Sequence, residues 1–283
     1  MSPRQRRPPP TDRRDGRGGR GPRRPPPRQG LGGEQVEGRQ AVRELLAARR
    51  RRVRDVWMAE GIDEATPIIA EILDLARDDR VTVRRVGPER LDREARSDAP
   101  QGVLAHAAAL DETPLDRLAS RSRSGGPPFL VALDGVTDPQ NLGALLRSAE
   151  CAGATGVVLP RHRAAHVSPT AAKAAAGAIE HLSLALVPGI PAALAELRDR
   201  GVWIVALDAD AEASLFDLEL ATEPLCLVLG AEGAGLSRLA RARADLVVRV
   251  PLAGALPSLN VAAAGALACF EVARRRHVPP AGE

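Results

Sequence analysis

Short apolar runs alternate with segments of helical spacing along the second half of the chain. The runs stop at Asp, Gly or Pro, as buried strands commonly do. After the first run, Leu142, Leu145, Leu146 and Ala149 recur at the spacing of a helix with one buried face. This alternation predicts an α/β fold with a parallel sheet covered by helices. The predicted strands span residues 129–133, 156–160, 202–207, 225–229 and 246–250.

The pattern before residue 110 predicts a smaller α/β unit. Ala41, Val42, Leu45 and Leu46 form a helical stripe within residues 38–49. A second helix is expected over residues 67–76, and strands over residues 53–59, 81–86 and 103–108. We therefore expect a domain over residues 34–110, a polar, Gly- and Pro-rich linker over 111–127, and a second domain over 128–283.

The first 33 residues are rich in Arg, Pro and Gly and have almost no apolar side chains to bury, so we expect a disordered tail. Residues 1–30 hold ten arginines and two aspartates, a net charge of +8, whereas the whole chain is +4. The tail is consistent either with salt-sensitive phosphate binding or with a solvated segment. The G-x-G-x-x-G match at residues 16–21 has no strand before it and no helix after it, so it does not indicate a nucleotide-binding loop.

Composition excludes several classes of function. Aromatic residues make up 2% of the chain, too few for RNA binding by base stacking. Cys151, Cys226 and Cys269 lie apart within apolar segments, which favours small core residues in a reducing cytoplasm. His162 and His166 have no third ligand partner, so no metal site is expected. The N-terminus lacks a signal-peptide pattern, and the longest apolar stretch is too short to span a membrane.

Candidate chemistry is concentrated after the last two predicted strands. Three glycines between Gly230 and Gly235 permit a tight turn and close approach to a ligand, with Glu232 among them. Ser258 is placed to cap a helix expected to end near residue 275. The carboxyl ends of parallel strands meet at one sheet edge, so these loops can form a small-ligand pocket. Ordinary βα loops would show the same glycines and the same serine.

The helix after the first predicted strand carries a further polar candidate. Asp138 can cap this helix, with Pro139 in its first turn. Gly143 and Arg147 are four residues apart and share a face. The missing side chain at Gly143 is expected to leave room beside the guanidinium. Spacing alone leaves open whether Arg147 is a salt-bridge partner or a functional group.

Three stretches in order form a specific pattern: LDGVTDPQNLGALLRSAECAG from residue 133, GAEGAG from residue 230, and VPL followed by PSLN before the last helix. This pattern resembles the motifs of the SpoU (TrmH-like) RNA ribose 2'-O-methyltransferases of the SPOUT superfamily. The resemblance implies a deep trefoil knot and S-adenosylmethionine bound by the knotted loops. It matches Gly230, Val250 and Leu259 to cofactor-binding positions. The residues that it matches to catalytic positions are Asn141, Arg147, Glu232, Ser258 and Asn260.

The small domain also carries part of the resemblance. Residues 38–42 (GRQAV) and 101–103 (QGV) are similar to the beginning and end of the family's substrate-binding domain. That domain resembles ribosomal protein L30e, which implies an L30e-like fold that binds RNA. Pro100 stands where the family commonly has His, which puts RNA contact by this loop in doubt. Residues 173–180 are similar to the family's K-x-S-x-G-A-x-E stretch, with Ala175 in place of its serine.

The resemblance implies a cytoplasmic homodimer, joined through its C-terminal knot domain, that methylates a ribose 2'-hydroxyl in RNA. The motif DGVTDPQNLGA (residues 134–144) and the presence of the small domain favour, as the substrate, a guanosine of large-subunit (23S) ribosomal RNA. A transfer RNA methyltransferase and a catalytically silent ribosome-assembly protein are the alternatives. The Ala- and Gly-rich last helix suits a buried intersubunit contact, and no membrane or metal partner is expected.

Physical chemistry suggests a division of roles among the matched residues. A guanidinium stays protonated in proteins, so Arg147 is a poor base. Our hypothesis is that Arg147 holds an RNA phosphate and stabilises developing alkoxide charge, while Asn141 and Asn260 orient the ribose. Ser258 would cap its helix beside the site, and Glu232 would fix Arg147 or relay the proton.

Overall fold

The structure is a computed structural model, and it describes residues 30–98, 100–120, 126–162 and 166–277. Most of the predicted tail, including the match at residues 16–21, lies outside the described residues. Its last residues are ordered, contrary to the prediction, because Leu31 buries its side chain in the core and Gly32 forms a parallel bridge to Val167. The fold consists of two α/β units, each built on its own sheet.

The first unit is a four-stranded mixed sheet in the order β1-β4-β2-β3. β2 pairs parallel with β3 and antiparallel with β4, and β4 pairs antiparallel with β1. The predicted helical stripe is buried against this sheet, as expected. The short strand β1 and the short helix α3 were not predicted. The elements are β1 Gln35–Glu37, α1 Arg39–Ala48, β2 Val53–Ala59, α2 Pro67–Asp78, β3 Thr82–Val86, α3 Pro88–Glu94 and β4 Val103–Ala107.

The second unit is a seven-stranded sheet in the order β7-β6-β5-β10-β8-β11-β9, and every strand pair in it is parallel. The predicted parallel α/β architecture is thus confirmed. Apolar clusters cover both faces of the sheet. The elements are α4 Leu115–Leu118, β5 Phe129–Asp134, α5 Pro139–Cys151, β6 Gly156–Pro160, α6 Pro169–Ala174, β7 Leu184–Val187, α7 Ile190–Asp199, β8 Trp203–Leu207, β9 Ala213–Ser214, β10 Leu225–Gly230, α8 Arg238–Arg241, β11 Leu246–Arg249 and α9 Val261–His277.

Part of the predicted linker is structured. Glu112 forms a parallel bridge to Leu184 at the edge strand β7, and the N–H of Thr113 donates to the Leu184 carbonyl at 2.7 Å. Helix α4 follows, and its Leu118 is buried against the sheet. This segment therefore covers an edge that would otherwise expose unpaired backbone groups.

Helix α5 begins as the sequence predicts, because Oδ2 of Asp138 accepts a hydrogen bond from the N–H of Asn141 at 2.7 Å. The expectation for Gly143 was wrong. A Cβ at this position would lie 2.5 Å from the Ala171 carbonyl oxygen and 2.5 Å from Cβ of Ala174. The missing side chain therefore lets α6 pack closely against α5 and does not make room for Arg147.

Helix α9 begins at Val261, and Ser258 does not cap it. Oδ1 of Asn260 accepts hydrogen bonds from the N–H groups of Ala262 and Ala263 at 2.8 and 3.4 Å, so Asn260 is the cap. Ser258 lies two residues too early, in a segment that is still irregular. Gly265 faces α5 and β10 in the same chain, where a Cβ would collide with Leu145.

Two of the three cysteines are core residues, as predicted. Burial raises the pKa of Cys226 and that of Cys269 to about 12, so both stay as thiols. Cys151 is exposed, contrary to the prediction. It is the last residue of α5 and lies two positions past Ala149, off the buried face of that helix.

The C-terminal end of α9 is clamped by Arg276, whose guanidinium donates to the carbonyls of Ala221, Pro127, Pro128 and Glu223. The same group lies 5.3 Å over the ring of Phe129. Burial lowers the pKa of Arg276, but an arginine retains its proton across the physiological range. No helix in the described part of the chain is long and apolar enough to cross a membrane.

Candidate active site

A cavity of about 640 Å³ opens at the carboxyl ends of β8, β10 and β11 and at the start of α9. This volume is within the range of small-molecule sites. All three predicted cofactor residues, Gly230, Val250 and Leu259, line it. Of the predicted catalytic residues, Glu232, Ser258 and Asn260 also line it.

The glycine loop folds back on itself after β10. The N–H of Ala231 donates to the Gly235 carbonyl at 2.9 Å, and the N–H of Gly235 donates to the Ala231 carbonyl at 2.8 Å. Gly233 and Gly235 have φ values of 75° and 64°, which favour glycine. A Cβ at Gly230 would collide with the backbone of Gly235. The loop therefore closes only because Gly230 has no side chain, and the closed loop holds Glu232 at the rim of the cavity.

Three side chains from distant parts of the chain form a hydrogen-bond relay. Nδ2 of Asn260 donates to Oδ1 of Asn141 at 3.1 Å, and Nδ2 of Asn141 donates to Oε2 of Glu232 at 3.0 Å. Asn260 precedes α9, Asn141 lies in the first turn of α5, and Glu232 belongs to the glycine loop. The relay thus joins three segments, two loops and the start of α5, that are far apart in the sequence and meet only in the folded chain.

The N-terminus of α9 determines which groups of the relay donate and which accept. Backbone N–H groups are obligate donors, so Oδ1 of Asn260 must face α9 and its Nδ2 must face Asn141. Asn141 must then present its oxygen to Asn260 and its nitrogen to Glu232. The carboxylate of Glu232 accepts this bond through Oε2. The helix N-terminus therefore determines the orientation of both amides.

The cavity is lined by acidic side chains. Asp208 and Asp210 follow β8 directly and line the cavity together with Glu232, while no Lys or Arg is among the described lining residues. The backbone N–H of Asp210 and the guanidinium of Arg241 lower the pKa of Asp208, so that carboxyl is ionised. Neither aspartate is among the residues predicted from the sequence, although their position after a predicted strand was the available signal.

Asp134 at the end of β5 is a further residue that sequence reasoning missed. Its Oδ2 accepts a hydrogen bond from the N–H of Ser237 at 2.8 Å. The hydroxyl of Ser237 in turn accepts from the N–H of Ala240, which caps α8. This contact ties the exit of the glycine loop to the neighbouring strand.

Neither Asn141 nor Arg147 lines the cavity, but Asn141 is hydrogen-bonded to two residues that do, which is not true of Arg147. It is exposed on α5, six residues after Asn141, which is about 9 Å further along the axis and on another face. Among the described residues it has no hydrogen-bond or ion-pair partner. The expected contact between Glu232 and Arg147 is therefore absent, and Glu232 pairs with Asn141 instead. Within the described ranges, no three His, Cys, Asp or Glu side chains form a group able to hold a metal ion.

Together, fold and site define a two-unit α/β protein that binds a small ligand at the carboxyl edge of a parallel sheet. The model of the SpoU rRNA Methylase family matches residues 128–270, and that of RNA 2'-O ribose methyltransferase substrate binding matches residues 35–113. The chain belongs to the SpoU rRNA methylase family.

Similar proteins extend over both units. A 23S rRNA (guanosine-2'-O-)-methyltransferase RlmB from Pseudomonas syringae is 39% identical over 246 residues, covering 86% of this chain and 96% of that protein. The protein of the same name from Photobacterium profundum is 37% identical over 253 residues, covering 88% and 100%. The SpoU methyltransferase AviRb from Streptomyces viridochromogenes, solved in complex with AdoMet, superposes with a TM-score of 0.71 at 26% identity, covering 86% of this chain and 90% of that one.

The first prediction concerns the glycine loop. Gly230→Ala should lower the affinity for S-adenosylmethionine at least tenfold, about 1.4 kcal/mol, because a Cβ forces the loop open against the Gly235 backbone. Isothermal calorimetry measures this affinity. Gly254→Ala is the matched control, since a Cβ there meets nothing within 4 Å. Equal affinities for the two variants would contradict the role assigned to the loop.

Proposed function

We propose that the protein transfers a methyl group from S-adenosylmethionine to the ribose 2'-hydroxyl of a guanosine in 23S ribosomal RNA. The observation that carries this proposal is the directed relay from Asn260 through Asn141 to Glu232 at the rim of the cavity. The names of the relatives supply the RNA class and the base.

The cavity is suited to S-adenosylmethionine in shape and charge. Most of its lining residues lie in loops, and the charged ones among them are acidic. S-adenosylmethionine carries a sulfonium, an ammonium and one carboxylate, so it is a net cation. The carboxylates of Asp208, Asp210 and Glu232 are complementary to that charge. Gly230, Val250 and Leu259 would contact the cofactor.

The chain's own residues provide proton handling and orientation. The bound cofactor supplies a methyl group on a sulfonium leaving group. Oε2 of Glu232 is engaged by Asn141, and in the described part of the structure Oε1 has no partner. We assign to Oε1 the acceptance of the 2'-hydroxyl proton as the ribose oxygen attacks. Asn141 and Asn260 fix the position of Glu232 relative to the ribose. Ser258 lines the cavity beside them.

Arg147 is assigned a different task, because it lies apart from the relay. Its exposed guanidinium has five donors in a planar fork, which suits a phosphate of the RNA backbone. An RNA strand held there is drawn away from the acidic cavity, where its phosphates would be repelled.

The finer organisation is also part of the proposal. The C-terminal unit, residues 128–283, forms the deep trefoil knot, which its parallel sheet and the cavity at its carboxyl edge support. Residues 34–110 form an L30e-like RNA-binding domain, joined through residues 111–127 to the C-terminal unit, and residues 1–30 carry a net charge of +8. Such a protein works on ribosomal RNA in the cytoplasm.

A homodimer is proposed through the outer face of α9. Leu267 and Phe270 are 43% and 51% exposed there, next to the exposed Ala263. Large apolar side chains on one face of a helix are characteristic of a protein–protein contact. Gly265 packs inside the same chain, so this exposed stripe, rather than the small residues as such, is the proposed intersubunit surface.

The second prediction tests the function. Wild-type protein with labelled cofactor should methylate 23S ribosomal RNA and not transfer RNA. Glu232→Gln should lower the single-turnover rate by roughly 10²–10⁴, since the amide cannot take the proton. Cofactor affinity serves as the control and should remain measurable. Label in the transfer RNA pool alone would identify the alternative substrate, and label in neither pool would indicate a silent RNA-binding protein.

The third prediction separates geometry from charge at Arg147. Arg147→Lys keeps the charge but loses the planar fork, so single-turnover methylation should fall on the order of a hundredfold. Arg147→Ala should be no more active. Cofactor affinity should be unchanged in both variants, because Arg147 does not line the cavity. A lysine variant that retains most of the wild-type rate would refute the positioning role.

The fourth prediction concerns the subunit contact. Phe270→Glu places a charge in the proposed apolar interface and should give a monomer in sedimentation velocity at concentrations where the wild type is a dimer. The control is Leu239→Glu on α8, where the leucine is 62% exposed and outside the proposed surface. A dimer that survives Phe270→Glu would exclude this face.

A further inference from the structure

One motif remains outside the proposed function. Residues 173–180, which carry the pattern similar to K-x-S-x-G-A-x-E, do not line the cavity. They form the end of α6 and the 3-10 turn Ala178–Glu180, and they contact both α/β units. We name residues 173–180 the docking segment.

Glu180 is the centre of the contact between the units, and its side chain is 1% exposed. Arg51, in the turn before β2, donates from Nη2 and Nε to its two carboxylate oxygens at 2.6 and 3.0 Å. Nη1 of Arg51 also donates to the carbonyls of Gly33 and Ala108, each at 2.6 Å. One buried guanidinium therefore binds the docking segment bidentately and the first unit's backbone at the same time.

Arg50 adds a second connection beside this pair. Its Nη1 donates to the carbonyls of Glu180 and Leu182 at 2.9 and 3.0 Å. Both arginines leave the same turn of the first unit and reach the same turn of the second. The contact therefore resists rotation as well as separation.

Two further residues of the docking segment meet the first unit. A Cβ on Gly177, whose φ is 90°, would collide with the Glu44 side chain on α1. Lys173, the only lysine of the chain, donates from Nζ to the carbonyl of Asp98. Asp98 lies shortly before Gln101, which in turn contacts Arg39. The two sequence stretches similar to the substrate-binding domain thus meet beside the docking segment.

On its other side, α6 and the start of the docking segment pack against α5, the helix that carries Asn141. Backbone of α6 lies against Gly143, where a Cβ would be 2.5 Å from the Ala171 oxygen and 2.9 Å from the Ala175 nitrogen. Gly143 is two residues after Asn141 on α5. A continuous packed path therefore leads from the first unit through the docking segment to the relay.

We propose that the docking segment is a positioning device that holds the first unit in one orientation, so that RNA gripped there presents a single ribose to Asn141 and Glu232. This inference rests on the proposed function. Glu180, Gly177 and Lys173 are positioning residues and touch neither the cavity nor the relay. The choice of nucleotide then depends on the angle between two units as well as on contacts at the reacting ribose.

The chemistry of the contact supports a role in orientation. A buried ion pair is costly to desolvate, and an apolar contact of similar size commonly stabilises at least as well. An apolar contact, however, allows sliding, whereas a bidentate guanidinium with two further carbonyl partners has one geometry. The Arg51–Glu180 pair is therefore better explained by a need for fixed orientation than by a need for stability.

The fifth prediction tests this device with Glu180→Gln and, should that variant fail to fold, with Gly177→Ala. Small-angle scattering should show a broader particle for the variants. Single-turnover methylation of 23S ribosomal RNA should fall on the order of a hundredfold, and mapped methyl groups should spread to neighbouring nucleotides. Cofactor affinity should equal that of the wild type. Glu196→Gln is the matched control, because its pair with Arg200 is exposed and lies within one unit.

Three outcomes would overturn the proposal. One is a broadened particle with an unchanged rate and an unchanged methylation site. Another is scattering identical to the wild type in the variants, which would mean that the segment does not hold the units. A third is an equal loss of cofactor affinity and rate, which would indicate general destabilisation. A wild-type protein that methylates no RNA would instead refute the proposed function, while scattering would still decide whether the segment docks the units.

Discussion

The geometry of the site depends on how closely α9 can approach α5 and β10. Gly265 lies at this crossing, where a Cβ would collide with Leu145 and stand 2.8 Å from Cδ1 of Leu229. Any larger residue would push the start of α9 outward, and Asn260 lies at that start. A steric constraint in the apolar core therefore decides whether Asn260 can reach Asn141.

This packing determines how the polar side chains of the site are hydrogen-bonded to one another. The first N–H groups of α9 orient Asn260, which orients Asn141, which holds Glu232 as an acceptor. The Glu232 carboxylate is thereby connected to a helix end without an intervening cation. Because the cavity itself is acidic, the cationic groups suited to RNA phosphate lie outside it, as Arg147 does. Under the proposed function, cofactor and RNA backbone would be separated by charge.

Directional polar contacts join the two units. Arg50 and Arg51 reach Glu180, and Lys173 reaches the Asp98 carbonyl. Within the first unit, the buried Glu37 carboxylate accepts bonds from the N–H groups of Arg96 and Ser97, which holds the loop leading to Asp98. Directional contacts of this kind define an angle between units more sharply than apolar burial does.

Local patterns in the sequence predicted much of this structure. Five of the seven strands of the second unit, the Asp138 cap and the glycine loop were readable because apolar spacing and turn residues report backbone conformation directly. Their motifs also indicated the family. Short elements such as β1, β9 and α3 were missed, because they contain too few residues to show a period.

Only the tertiary structure decided which polar groups meet. Ser258 and Asn260 are both competent caps, and the choice between them depends on where α9 can begin against α5. Glu232 pairs with Asn141, 91 residues away in the sequence. It does not pair with Arg147, because Arg147 lies six residues further along α5 and therefore on another face of that helix. Gly143 serves the contact with α6, and Glu180 serves the contact between units. A sequence pattern reports burial and backbone shape, whereas partners so far apart are set by the three-dimensional crossing of their elements.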